Sequence, residues 1–450
     1  MGGSLKSAGG HAELTIPRIA AFRILEDVEQ GAYADRAAKR RLAGLLPLER
    51  GLALELAYGA IRLRARLDVE LLHLVDRPLE RLDRAVLLWL RLGLYQLRET
   101  RVPDHAAVHE TIEGLRSTEG PRAVGFVNAV LRSAARLGDE ERAALFPSLE
   151  ADPISHLATY GSHPEWLVRR WLERWPTETV VRLVELDNRP ARVTLRTLGD
   201  EGGRWEAERR AAADARLEAI AGFPGCWELA DGDPKDLLAA LPAIVQDPAA
   251  SAVVEYIGPL GGGLSVDVCA APGGKCIALA AARETGSIVA ADLGRERLMR
   301  VVEAARARDV DLLALVADGR KPPFRAARNV LLDAPCSGTG VLRRRADARW
   351  RVRPGRLAAL VKLQRELLDA AAELVEPGGT LVYATCSLEP EENEGQVSDF
   401  LSRQAHFSRC PTPRRPAIPS DALGVDGELR VLPWQRETDG SYAVRLRRAA

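Results

Sequence analysis

From residue 264 onward, short apolar runs alternate with helical stretches. The runs are "LSVDVC" (264–269), "SIVAAD" (287–292), "LLALVAD" (312–318), "NVLLDAPC" (329–336), "TLVYATC" (380–386) and "YAVRLR" (442–447). Between them lie "KCIALAAARE", "GRERLMRVVEAARARD" and "GRLAALVKLQRELLDAAAELV", with apolar residues at three- and four-residue spacing. A pattern that switches repeatedly between the two periods predicts a mostly parallel, doubly wound sheet with helices on both faces. In such folds ligands bind beyond the carboxyl ends of the strands. The polar residues sit at those ends: Asp267 and Cys269, Asp292, Asp318, Asp333 and Cys336, and Cys386. Five strand ends carrying Asp or Cys define a candidate site.

The first half reads differently. Residues 14–140 carry helical periodicity, and "LDRAVLLWLRLGLYQLRET" (82–100) is apolar almost all round, which predicts the central helix of a bundle. Residues 141–240 mix an amphipathic helix, "HPEWLVRRWLERW", with the strand-like "RPARVTLRTL", and a surface helix is expected within 199–216. They are taken as a connector and α+β segment, ahead of a further domain over 241–450. The Gly/Ser-rich start, residues 1–13, reads as a disordered tail without the apolar core of a secretory signal. No apolar run is long enough to span a membrane, and a cytoplasmic location is expected.

The 450 residues are long enough for two or three cores. Six cysteines are too few for a disulfide framework, and no C-x-x-C pair occurs. The histidines are scattered, so no metal site is expected; His406 and Cys410 are four apart but lack a second pair. Net charge is zero, which alone does not suggest a nucleic-acid partner. Only six of the 63 basic residues are Lys; a genome-wide bias explains that as well as nucleic-acid binding does.

"DVCAAPGGK" (267–275) places a turn of small residues between a strand and a helix. Gly273 and Gly274 permit close backbone approach to a ligand, and the helix start favours negative charge. The motif is neither a dinucleotide fingerprint nor a P-loop. Asp292 stands at the next strand end, where an acid binds ribose hydroxyls, and Asp318 at the one after, where it meets an adenine amino group. That set suits S-adenosylmethionine. The strands ending in Cys336 and Cys386 are neighbours in the strand order 3-2-1-4-5, which brings the two thiols together. A lone buried cysteine is usually a small apolar residue, but two at adjacent strand ends beside a carboxylate point to chemistry.

"CAAPGGK", "DAPCSGTG" and "ATCSLEPEENE" together resemble the RNA cytosine carbon-5 methyltransferases, and the helical first domain is similar to the NusB-type RNA-binding domain of the Sun/Fmu branch. The resemblance implies a class I, Rossmann-like methyltransferase domain, S-adenosylmethionine as cofactor, and one cytosine of 16S ribosomal RNA, free or in the assembling small subunit, as target. It implies that Cys386 attacks carbon 6 of the base and that Cys336 assists its release. Asp333 is placed to hold N3 and the amino group of the base, with Lys275 orienting Asp333 or lowering a thiol pKa. It further implies that Cys269, Ala270, Ala271, Pro272, Gly273, Gly274, Lys275, Asp292, Asp318 and Asp333 contact the methyl donor.

RNA contacts are expected from Arg343, Arg344, Arg345, Arg349 and Trp350, which follow the Cys336 turn, and from Arg196 in "NRPARVTLR". The alternative for the basic run is a solvated helix end. "VQDPAAS" (245–251) resembles a segment that closes the cofactor site, and Glu391, Glu392 and Asn393 are expected to fix the loop after Cys386. Departures from the family pattern fall at Ala305, Arg345-Ala346 and Ser441-Tyr442. The chain is expected to act as a monomer. A transfer RNA target is the runner-up; a non-catalytic RNA-binding assembly factor and a DNA methyltransferase are the competing classes.

Overall fold

The computed structural model describes residues 9–199, 216–258, 260, 262–283, 285–410 and 418–450. The surface helix expected within 199–216 lies outside the described residues, apart from its two ends. The chain divides into two compact units, one of residues 1–189 and 342–351, the other of 190–341 and 352–450.

The first unit is helical. Helices α1 (Gly9–Glu29), α2 (Ala34–Arg41), α3 (Pro47–Arg62), α4 (Arg64–Leu74), α5 (Arg84–Glu99), α6 (Asp104–Glu119) and α7 (Val124–Arg136) form one core. Helix α1 begins at Gly9, so the tail expected through residue 13 is helical over 9–13. Helix α5 is central, as its all-round apolar pattern predicts: every residue from Leu88 to Gln96 is buried. The helices approach closely where glycine leaves room; a Cβ on Gly114 of α6 would lie 2.3 Å from the Trp89 ring of α5. Three further helices, over 153–159, 165–174 and 177–188, group with this unit rather than with a separate connector. So does the segment 342–351, although both of its neighbours in the chain belong to the other unit.

The second unit holds two sheets. Strands β1 (Thr194–Thr197), β2 (Arg216–Ala219), β3 (Cys226–Asp231) and β4 (Ala243–Val245) pair antiparallel in the order β2-β3-β1-β4. The larger sheet contains β5 (Leu264–Asp267), β6 (Ser287–Asp292), β7 (Leu313–Val316), β8 (Ala327–Asp333), β9 (Val375–Thr385), β10 (Phe407–Arg409), β11 (Leu429–Val431) and β12 (Ser441–Arg448). Its order is β10-β12-β9-β8-β5-β6-β7, with β11 paired to β12. Strands β5 to β9 run parallel, and β12 returns antiparallel beside β9. The strand order reverses between β5 and β8, the point at which a doubly wound sheet opens a crevice for ligands. Each sheet face has its own core. Ala290, Leu331, Val382 and Ala443 pack on one, and Val266, Val330, Leu332 and Tyr383 on the other. Among the described residues, no helix is long and apolar enough to cross a membrane.

Candidate active site

Parallel pairing of β8 and β9 sets Asp333 opposite Ala384, and the chain leaves both strands at the same level of the sheet. The two cysteines that follow therefore converge. Cys336 Sγ and Cys386 Sγ stand 3.3 Å apart, fifty residues distant in sequence. The contact with Cys386, and then burial, push the Cys336 thiol well above its ordinary pKa.

A buried network fixes both turns. Glu392 Oε1 accepts from the Ser337 amide and from Gln364 Nε2, both at 2.8 Å, and Glu392 also accepts from the Ser337 hydroxyl. Asn393 accepts from Thr385 Oγ1 at 2.5 Å and donates to Ser387 O at 2.9 Å. The Leu388 amide donates to Thr339 Oγ1, and the Gly340 amide to Cys386 O. Glu392 and Asn393 thus fix the loops of both cysteines, whereas Glu391 is exposed. Space is tight here, since a Cβ on Gly340 would lie 2.8 Å from Cys386 O.

Lys275, from the first turn of the helix Gly274–Ala281, donates to Asp333 Oδ2 at 2.7 Å. Burial alone would lower the Lys275 pKa; the Asp333 carboxylate outweighs it, and the net shift is upward. The ammonium is held charged against Asp333, on the strand that leads to Cys336. Behind the pair lies Asp267, at the end of β5 and fully enclosed, whose carboxyl accepts from the Cys269 amide at 3.2 Å. Burial, then the neighbouring Asp333, push its pKa up to about 8, so it is largely protonated at neutral pH.

The 268–273 turn is held by its neighbours. The Ala270 amide donates to Ala291 O, and the Ala271 amide to Asp292 Oδ2 at 3.2 Å. Asp292 Oδ1 accepts from the Gly294 amide and from Arg297, both at 2.7 Å. Gly273 adopts φ +104°, and its missing Cβ space is filled by Val301; that of Gly274 is filled by Gln246. These glycines are required by packing within the protein as well as by any approach of a ligand. Gln246 belongs to the 245–251 segment, in which Asp247 caps the following helix through the Ala249 amide. Asp318 lies two residues beyond β7, gripped by Arg320 at 2.7 Å, which lowers its pKa to about 2. Sequence reasoning placed Asp267 at this rim without giving it a role, and it missed Arg297, which carried no signal as one arginine among several on its helix.

The RNA contacts need correction. Arg196 is buried, donating to Ser251 O at 3.0 Å and pairing with Glu255, so it braces β1 against the helix Pro248–Ile257 and does not face solvent. Arg349 is fully buried within the helical unit. Its guanidinium donates to Arg62 O, Ser162 O, Asn188 Oδ1 and Asp187 O at 2.8–3.2 Å, and burial lowers its pKa to about 9. The Trp350 indole N–H donates to Ile61 O at 2.7 Å, which ties the ring to the bundle rather than to a base. Arg343 is also buried; Arg344 is half-buried and Arg345 exposed.

A family model described as "16S rRNA methyltransferase RsmB/F" matches residues 257–447, and one described as "NusB family" matches 15–136. Curated relatives named "Ribosomal RNA small subunit methyltransferase B" align end to end. The one from Vibrio cholerae serotype O1 is 35% identical over 442 residues, covering 95% of this chain and 96% of the relative. That from Klebsiella pneumoniae (strain 342) is 32% identical, covering 96% and 98%. The chain belongs to the RsmB/F family of ribosomal RNA small subunit methyltransferases. As a member it is an S-adenosylmethionine-dependent RNA methyltransferase with a NusB-like domain. Solved structures share the fold. "Crystal Structure of PH0851" superposes with a TM-score of 0.79 at 22% identity, covering 96% of this chain and 98% of that one. NSun6 from Pyrococcus horikoshii with SFG superposes at 0.53 and 17% identity, covering 64% of this chain and 98% of that one. For an RsmB/F member, the rim of β5, β6, β8 and β9 is the candidate site of methyl transfer.

Proposed function

We propose that this enzyme methylates carbon 5 of a cytosine in 16S ribosomal RNA through a covalent bond between Cys386 and carbon 6 of the base. The observation that carries the reading is the thiol pair. In this reading Cys336, whose pKa is raised by the contact with Cys386 and by burial, stays the protonated partner, and Cys386 attacks as the thiolate. Addition at carbon 6 gives carbon 5 enamine character. Asp333, oriented by Lys275, accepts from the exocyclic amino group, and in its protonated form delivers the proton to N3 that neutralises the charge developing there. When bound, S-adenosylmethionine supplies the methyl group from its sulfonium to the activated carbon 5. With Cys386 bonded to carbon, the largest cause of the raised Cys336 pKa is gone. Cys336 can then lose its proton and serve as the base that removes hydrogen from carbon 5. The electron pair returned to the ring expels Cys386 and restores the aromatic base.

The residues fit the methyl donor. Asp292 and Asp318 stand at the ends of neighbouring strands as acceptors for ribose hydroxyls and an adenine amino group, and the 269–275 turn lies between them and the thiols. Arg344 and Arg345 remain the candidates for phosphate contact. The test is tritium transfer from labelled S-adenosylmethionine to 16S RNA, followed by nucleoside analysis. The expected product is 5-methylcytidine, and Cys336→Ala is expected to accumulate a protein–RNA adduct stable on a denaturing gel. An adduct with Cys386→Ala but not with Cys336→Ala reverses the two roles. Label in transfer RNA alone replaces the target.

A further inference from the structure

Ten residues of the catalytic unit's own loop are built into the helical unit. The chain passes between units after residue 189, after 341 and after 351, so 342–351 is an excursion that begins six residues beyond Cys336. Its side chains are received as parts of the bundle. Ala346 is buried in the bundle core, with Trp350 packed against it. Arg351 donates to Gly31 O and Ala32 O, and Asp347 accepts from the Ala34 amide at 3.3 Å.

Arg349 is the deepest of these anchors. Two of its four acceptors, Arg62 O and Asp187 O, lie in the last turns of helices, where carbonyls lack intrahelical partners and the macrodipole favours a cation. Its charge faces Asp187, which also contacts His163 Nε2 at 3.4 Å. Burial, and the positive charge of Arg349 next to it, push the His163 pKa down, so the imidazole is the neutral member of this cluster. A buried cation received by carbonyls from separate helices is a specific socket, not an incidental contact.

We infer that residues 342–351 are a positioning segment that ties the helical unit to the catalytic loop, with Arg349 as the residue that seats it. This rests on the RNA methyltransferase reading above. Six residues from Cys336 to Leu342 span at most about 20 Å, so the seated segment leaves only a short covalent tether to the Cys336 turn. Unseated, the tether lengthens by the ten residues of the segment, and in this reading RNA recruited by the NusB-like domain meets the catalytic rim at a lower effective concentration. Arg349 therefore governs use of long RNA and leaves the chemical step alone.

The test compares full-length 16S RNA with a short oligonucleotide carrying the target cytosine, using full-length protein bearing Arg349→Met, Arg349→Lys or Trp350→Phe. Arg349→Met is expected to raise KM for the long RNA about a hundredfold, leaving KM for S-adenosylmethionine and turnover of the oligonucleotide unchanged. Arg349→Lys, which keeps the charge and three donors, should recover part of the loss. Trp350→Phe, a milder change with little risk to folding, should give a smaller loss of the same kind. Trypsin should cut Arg349→Met within 343–353 and spare the wild type. Equal losses on both RNAs, or none on either with the segment still protease-resistant, overturn the inference. If the wild type transfers no methyl to RNA, the functional reading fails, and the trypsin comparison then decides the inference: equal resistance of wild type and Arg349→Met overturns it.

Discussion

The turn at Cys336 and the arginine run that follows it are parts of one loop, yet they obey different physics. At Cys336 the groups are carried by strand ends, and parallel pairing of β8 with β9 forces Asp333, Cys336 and Cys386 to one rim. Their exposure is partial; the two thiols meet each other, and Asp333 meets Lys275. A few residues on, Arg343 and Arg349 are buried, and Arg349 spends its donors on backbone carbonyls. Polar side chains at the first place serve chemistry, while at the second they serve assembly. Residue type does not separate the two roles, because a guanidinium satisfies carbonyls as well as it does phosphates.

The contrast can be tested by substitution at each place. Cys386→Ala should reduce methyl transfer at least about a thousandfold while leaving the melting profile unchanged, since a half-buried thiol contributes little to packing. Appreciable turnover of labelled donor by that variant would sink the covalent reading. Lys275→Met should lower kcat about a hundredfold, because Asp333 loses the cation that orients it. A rate within a few-fold of wild type would remove Lys275 from the site. Arg349→Ala belongs to the other class. Stripping a buried cation from four acceptors is expected to cost about 3 kcal/mol, seen as an earlier denaturant midpoint for the helical unit. An unchanged midpoint would mean that the acceptors find water instead.

The smallest expected effect concerns pH. The Asp267 carboxyl has a folded pKa of about 8 against an ordinary 3.8, so the folded state binds its proton more tightly than the unfolded chain does. Its stabilising contribution is complete below about pH 4 and is lost as pH rises toward 8. Asp267→Asn should flatten the decline in stability across that window, measured by denaturation at several pH values. A decline as steep as the wild type's would assign the slope to other groups.

The alternation of runs from 264 onward was legible as a parallel sheet, and the strand order that makes the two cysteine strands neighbours followed from it. The uninterrupted apolar character of 82–100 likewise marked the central helix α5. Both follow from periodicity, which depends on backbone geometry shared by every helix and strand. The roles of Arg196, Arg349 and Trp350 were not legible, because a basic run carries no sign of which side it faces. Glu392 stood inside a motif already singled out. Its two-sided grip on the Ser337 turn and on Gln364, however, depends on chain segments that only folding brings within reach.

Sequence alone was enough for the order of strands and helices, for the carboxylates and thiols at the carboxyl ends, and for the family to which they belong. These are local or pairwise properties of residues along the chain. Packing brought the two thiols into contact, held Lys275 against Asp333, and placed residues 342–351 with the helical unit. Burial and the partners that come with it exist only in the folded chain, and they set whether a charged side chain meets a substrate or a carbonyl.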